Sequence, residues 1–147
     1  MASTTANEIT TSSARLYVDG AGILIIRPFE KVAEHHTVEE AKENVRAMRT
    51  LCADRNRPAL IDLRMVKFQG RDSRDVYMAP ENNTMLTAKA LIAGSAMSRA
   101  VANFFVALEA GRIPTKLFGS DDEALSWLKR YIVDARAPVS VMGRPRG

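Results

Sequence analysis

Residues 57–63 read Arg57-Pro58-Ala59-Leu60-Ile61-Asp62-Leu63, and this stretch decides the fold. From Ala59 onward apolar residues run almost without interruption. A strand with one wet face alternates, whereas a nearly continuous apolar strand is what a sheet covered on both faces requires. A helix lies directly upstream. Thr37-Val38-Glu39-Glu40 fits a capping box, in which the Thr37 hydroxyl accepts the N3 amide and Glu40 reaches back. Val38, Ala41, Val45, Met48 and Cys52 follow at spacings of three and four and build one apolar face. Glu39, Lys42, Glu43, Arg46 and Arg49 take much of the remainder. Asn56-Arg57-Pro58 ends the helix, because a residue before proline disfavours α geometry.

The same alternation continues in both directions. Upstream, Leu16 and Val18 alternate with Arg15 and Tyr17, Asp19-Gly20-Ala21-Gly22 supplies a turn, and Ile23 to Ile26 form an apolar run ended by Pro28. These segments predict a β-hairpin. Downstream, Gly70 opens a turn, and Asp72 or Ser73 can cap a short helix that runs to about Ala79 before Pro80. Leu86 to Ile92 reads as a strand. After Gly94-Ser95, the residues Met97, Ala100, Val101, Phe104, Phe105 and Leu108 hold helical spacing up to Gly111. Pro114 to Phe118 is a short last strand. Ser120-Asp121-Asp122-Glu123 is a second capping box, leading into a helix whose apolar face is Ala124, Leu125, Leu128, Tyr131 and Ile132 with Trp127 at its edge.

The predicted order is β-β-α-β-α-β-α-β-α. It implies an α/β fold with an N-terminal β-hairpin followed by alternating β-α units, giving a largely parallel sheet covered by helices. Val45, Met48, Ile61, Phe104, Phe105, Leu108, Leu125 and Leu128 are expected to form one shared core. At 147 residues the chain is sized for one domain, placed at 14–133. Residues 1–13 are rich in Ser, Thr and Ala without a period and read as a disordered tail. Residues 134–147, with Pro, Gly and Arg, read as a flexible basic tail.

Composition removes several function classes. Hydrophobic residues are 46% and charged residues 26%, which excludes a disordered or fibrous chain. No run is long enough for an integral membrane segment, and Met1 to Ser13 lacks the pattern of a secretory signal. The single Cys52, without a signal, points to the cytoplasm. The net charge of +4 is partly local to Arg136, Arg144 and Arg146, and acids and bases elsewhere interleave. A basic face with interleaved aromatics is missing, so nucleic acid is not an expected partner.

Three stretches carry a family resemblance: Arg57 to Leu63; Ala100-Val-Ala-Asn-Phe-Phe105; and Ile113-Pro-Thr-Lys-Leu-Phe118 with Ser120-Asp-Asp-Glu-Ala-Leu-Ser-Trp-Leu128. Over about Arg15 to Tyr131 the chain resembles the SpoIIAA-like superfamily. That group comprises the STAS domains and, more distantly, the CRAL-TRIO fold, and the nearest resemblance is to small bacterial proteins of unknown function. The resemblance implies the fold and a regulatory role through protein binding. STAS domains of the anti-sigma-factor antagonist type carry a phosphorylated serine in an Asp-Ser pair after this strand. Here the equivalent positions are Gly70 and Arg71, and the pair Asp72-Ser73 comes two residues late. Ser73 is therefore a candidate phosphorylation site or a plain helix N-cap.

Reaction centres find little support. Gly20-x-Gly22 precedes a strand, whereas a dinucleotide fingerprint follows one. His35 and His36 are adjacent, with only Glu34 nearby, which is too few ligands for tetrahedral zinc. Neither a nucleophile elbow nor a triad is present. No catalytic residue, metal or cofactor is assigned. One region retains a binding reading. Beyond the carboxyl ends of the strands, where open α/β sheets hold ligands, the chain places Arg64, Lys67, Arg71 and Arg74, then Gly94, Ser95, Ser98 and Arg99. Arg64, Arg71, Ser95, Ser98 and Arg99 form a candidate anion site if the guanidinium groups converge on the helix start. The alternative is that Ser95 caps and the arginines are solvated. The sequence thus leads to a non-enzymatic cytoplasmic regulatory or protein-interaction module of STAS-like type. The alternative is a carrier or sensor of a small anionic or lipid-like ligand. A protein partner is expected, and a second copy of the chain is one candidate.

Overall fold

The stretch at 57–63 forms a central strand, Arg57–Asp62, buried along nearly its whole length. In the computed structural model, which describes residues 3–5, 7–29, 37–65, 71–82, 84–109 and 112–133, it is the fifth of seven strands in one sheet. The strands are β1 (Ser3–Thr5), β2 (Glu8–Thr10), β3 (Ala14–Val18), β4 (Leu24–Pro28), β5 (Arg57–Asp62), β6 (Leu86–Ile92) and β7 (Thr115–Phe118). The helices are α1 (Val38–Leu51), α2 (Arg71–Met78), α3 (Ala96–Glu109) and α4 (Asp121–Leu128). Single 3₁₀ turns follow at Pro80–Asn82 and Lys129–Tyr131.

The strands lie side by side in sequence order. From β1 to β4 the pairs are antiparallel, and from β4 to β7 they are parallel. The fold is α/β, with the expected N-terminal hairpin and a parallel half built of β-α units. Pro58 is tolerated in a central strand because the register slips beside it. Arg57 pairs with Leu86 and Pro58 with Ala88, so Thr87 is the extra residue of a β-bulge. The Thr87 hydroxyl instead donates to the Tyr131 carbonyl at 2.7 Å.

Right-handed crossovers between strands added in one direction put every connecting helix on the same face. The core bears this out. Leu16, Leu24, Ile26 and Ala59 pack with Val45, Met48 and Leu51 of α1 and with Val76 and Tyr77 of α2. Ile61 joins that cluster to Leu63, Leu91, Ala93 and Ala102, with Val106 of α3. The opposite face presents Ile23, Ile25, Leu60, Ala88, Ala90 and Ile92, and α4 covers it with Ala124 and Leu128. The expected single core is therefore two. Val45, Met48 and Ile61 lie on one side of the sheet, Leu125 and Leu128 on the other. The side chains of Phe104, Phe105 and Leu108 lie outside the described residues.

The largest correction concerns residues 1–13, expected to be a disordered tail. They supply β1 and β2, and Ile9 is buried in the core. Thr11 and Ser13, between β2 and β3, are buried as well. Asn44 of α1 holds them. Its carbonyl accepts the Thr11 hydroxyl at 2.6 Å, and its amide donates to Ser13 Oγ at 2.8 Å and to Tyr77 Oη at 3.0 Å. Burial raises the Tyr77 pKa, so the phenol stays protonated. The Thr37 capping box forms as predicted. Asp72 and Ser73 do not cap α2, because the helix already begins at Arg71. The predicted tail at 134–147 lies outside the described residues.

Ile9→Ala should cost about 2–4 kcal/mol. Asn44→Ala should cost about 2 kcal/mol by removing the buried amide that bonds the Thr11, Ser13 and Tyr77 hydroxyls. Urea unfolding measures both. Removal of residues 1–13 should lower the melting temperature by more than either substitution. Unchanged stability after that truncation would return the segment to a tail.

Candidate functional site

Parallel pairing of β4 through β7 brings their carboxyl ends to one edge, and four charged residues meet there. Arg27 is the penultimate residue of β4, Asp62 ends β5, Arg64 follows two residues later, and Asp121 opens α4. Arg27 Nη1 donates to Asp62 Oδ2 at 2.9 Å, and Nη2 donates to Asp121 Oδ2 at 2.9 Å. Arg64 grips Asp62 in a fork, Nε to Oδ1 and Nη2 to Oδ2, each at 2.9 Å. Its Nη2 also reaches Asp121 Oδ1 at 3.2 Å. The Arg64 backbone amide donates to Asp62 Oδ1 at 3.0 Å. Two guanidiniums and two carboxylates thus form a closed ring of charge-assisted bonds.

The ring has an inside and an outside. The Asp62 side chain keeps 12% of its surface exposed, Arg27 26%, Asp121 32% and Arg64 39%. Two local features set the arginines. The Tyr17 hydroxyl accepts Arg27 Nε at 3.3 Å. Gly94 leaves room for the Arg64 stem, since a Cβ there would lie 3.3 Å from Arg64 Cγ. Burial pushes the Asp62 carboxyl up, but hydrogen bonds from the Arg64 side chain and amide and from Arg27 outweigh it. The net result is a pKa below the usual carboxylate range. Burial also opposes the Arg27 charge, and bonds to Tyr17, Asp121 and Asp62 more than restore it. Asp62 is consequently a weak base, held as an acceptor.

The structure reorders the expected anion site. Arg64 is present at the strand ends, but its guanidinium is paired with acids. The Gly94 backbone abuts the Arg64 stem, so Ser95 begins beside it, and the Ser95 carbonyl accepts the Arg99 amide at 2.9 Å. Arg71 and Arg99 are exposed, and neither side chain joins the ring. The Ser98 side chain and Lys67 lie outside the described residues. Ser73, the candidate phosphorylation site, is 2% exposed within α2, so its hydroxyl is not presented to a modifying enzyme. Arg27, Asp62 and Asp121 were not singled out from the sequence as site residues. Their signal is opposite charges at the ends of successive predicted strands, visible only once those strands are placed side by side. Among the described residues no group of three His, Cys, Asp or Glu could hold a metal. His35 and His36 are outside that set. No helix among the described residues is long and apolar enough to cross a membrane.

Residues 16–132 match the family described as a domain of unknown function, DUF7793. The chain belongs to the DUF7793 family. No curated protein matches it. Among solved structures it is similar to a protein of unknown function from Arthrobacter sp. FB24, at 29% identity over 81% of this chain and 94% of that one, with a TM-score of 0.29. The DUF7793 match spans β3 to the turn after α4, and so includes all four residues of the ring.

The depressed Asp62 pKa has a pH consequence. Its stabilisation is complete above the ordinary carboxyl value of 3.8 and is lost as pH falls below that toward the folded-state value. Asp62→Asn should cost about 3 kcal/mol at neutral pH, because two guanidiniums lose their shared acceptor. It should also flatten the stability loss of the wild type below about pH 4. Urea unfolding across this range checks both, and an acid loss equal to that of the wild type would detach Asp62 from it.

Proposed function

We propose that the protein is a cytoplasmic regulatory module of the SpoIIAA-like, STAS-like type that acts by binding another protein rather than by catalysis. The observation that carries this reading is the ring itself. The carboxyl edge of the sheet is where an open α/β protein holds a substrate or cofactor. Here Arg27, Asp62, Arg64 and Asp121 are engaged with one another across that edge. Charges held in this way fasten elements together, and both carboxylates of the ring are engaged as acceptors. An N-terminal hairpin followed by β-α units in a largely parallel sheet is also what the SpoIIAA-like resemblance implies.

The same resemblance directs attention to the start of α2, which follows the strand after which STAS domains of the anti-sigma-factor antagonist type carry their phosphorylated serine. Arg71, Asp72 and Asp75 are exposed there. Burial of Ser73 removes phosphorylation at that residue from the reading and leaves the exposed charges as the recognition surface. A second reading, a carrier or sensor of a small anion, draws on the paired guanidiniums of Arg27 and Arg64.

Native mass spectrometry of the protein isolated from its own cells separates the two. The expected species is a complex with a second protein. Arg71→Glu and Asp75→Lys should break that complex while leaving the circular dichroism spectrum unchanged. A stoichiometric small molecule on an otherwise single chain would overturn the regulatory reading in favour of the carrier.

A further inference from the structure

We propose that Arg27 and Arg64 form a receptor for a phosphate-type oxyanion, and that Asp121 occupies it as an internal ligand. The two oxygens of Asp121 go to different guanidiniums, Oδ2 to Arg27 Nη2 at 2.9 Å and Oδ1 to Arg64 Nη2 at 3.2 Å. That is how a phosphate group bridges two arginines. The receptor is held by contacts that do not involve Asp121. Asp62 fixes both arginines from the buried side, Tyr17 orients Arg27, and Gly94 seats the Arg64 stem. The two acids therefore differ in kind. Asp62 ends a central strand and is nearly enclosed. Asp121 stands at the outer side, on the first residue of an eight-residue helix.

Charge supports the assignment. With Asp121 in place the ring balances, and with Asp121 withdrawn two guanidiniums face a single carboxylate. The excess is one positive charge directed outward. Arg64 Nη1 has no hydrogen-bond partner among the described residues, so an incoming oxyanion has a donor to engage before it replaces Asp121. Replacement would free the start of α4, which covers one whole core of the sheet. Binding of the anion is thereby coupled to how firmly that helix is held. The inference rests on the anion reading of Arg27 and Arg64 and not on the regulatory one, and its readout, an ion bound to the purified chain, needs no partner protein.

The test is titration of the full chain with inorganic phosphate at low ionic strength, followed by calorimetry and by the arginine Nε–H resonances. Asp121→Asn removes the internal competitor, and phosphate should then bind about tenfold or more tightly than to the wild type. Asp122→Asn, one residue away, should leave the affinity at the wild-type level. Adding Arg64→Gln to Asp121→Asn should abolish the gain. In the wild type, high phosphate should shift the Arg27 and Arg64 Nε–H signals together with the Asp121 amide, which keeps the idea testable if the Asn variant folds poorly. Glycerol 3-phosphate and a phosphoserine tripeptide carry the same group, and the tighter of the two identifies a free metabolite or a modified protein as its source. Phosphate binding no tighter in Asp121→Asn than in the wild type, or wild-type arginine signals unmoved by phosphate, would overturn the proposal.

Discussion

Strands laid down in sequence order and joined by right-handed crossovers leave one face of the sheet without connecting helices. The rest of the structure depends on that constraint. Ile23, Ile25, Leu60, Ala88, Ala90 and Ile92 all point to the uncovered side. Exposing so many apolar side chains would cost about as much as a domain's whole net stability. A single helix after the last strand resolves this by folding back across β5, β6 and β7. Its eight residues bring only Ala124 and Leu128 to full burial. The aromatic trio Phe118, Trp127 and Tyr131, with ring centroids 5.5 and 5.0 Å apart, extends its grip.

So short a helix needs its ends held. Ser120 caps it, accepting the Glu123 amide at 3.4 Å, and Asp121 ties it to two strands through the arginine pair. At the far end the carbonyl of Tyr131 receives the Thr87 hydroxyl. That residue is available because the bulge beside Pro58 takes it out of the ladder register. A proline that looks like an interruption in β5 is thus connected, through one displaced threonine, to the seating of the helix on the opposite face.

Much of this was legible in the sequence. The capping box at Thr37 and the strand at 86–92 follow from local spacing and form where predicted, and the strand predicted at 59–63 forms two residues earlier, at Arg57–Asp62. The alternation of strand and helix then fixed the α/β class. What escaped was non-local. Thr11 and Ser13 sit in a stretch whose composition resembles disorder, and their burial depends on Asn44, 33 and 31 residues away. Asn44 occupies a position that periodicity would assign to an apolar residue. The site failed to show for the same reason. Arg27 and Asp121 are 94 residues apart, and Asp121 already had a sufficient local role at a helix start. A residue with one adequate local explanation hides a second that only tertiary structure supplies.

The two ends of β5 use arginine in different ways, and the contrast separates holding from binding. At the amino end Arg57, 8% exposed, donates from Nε to the Leu51 carbonyl and from Nη1 to the Gly22 carbonyl, both at 2.9 Å. Those two acceptors are main chain, while its Nη2 also pairs with the Asp54 carboxylate at 3.0 Å. One is the end of α1, and the other belongs to a hairpin loop whose Gly22 adopts a φ of 96° that disfavours a side chain. Neither can leave without breaking the backbone path, so Arg57 is a permanent clasp. At the carboxyl end Arg27 and Arg64 face carboxylates on side chains. A side-chain acceptor can rotate away and be replaced by another oxyanion at small backbone cost. The same residue type therefore fastens one edge of the sheet and leaves the other exchangeable, and the difference lies in whether peptide carbonyls or only side chains accept its bonds.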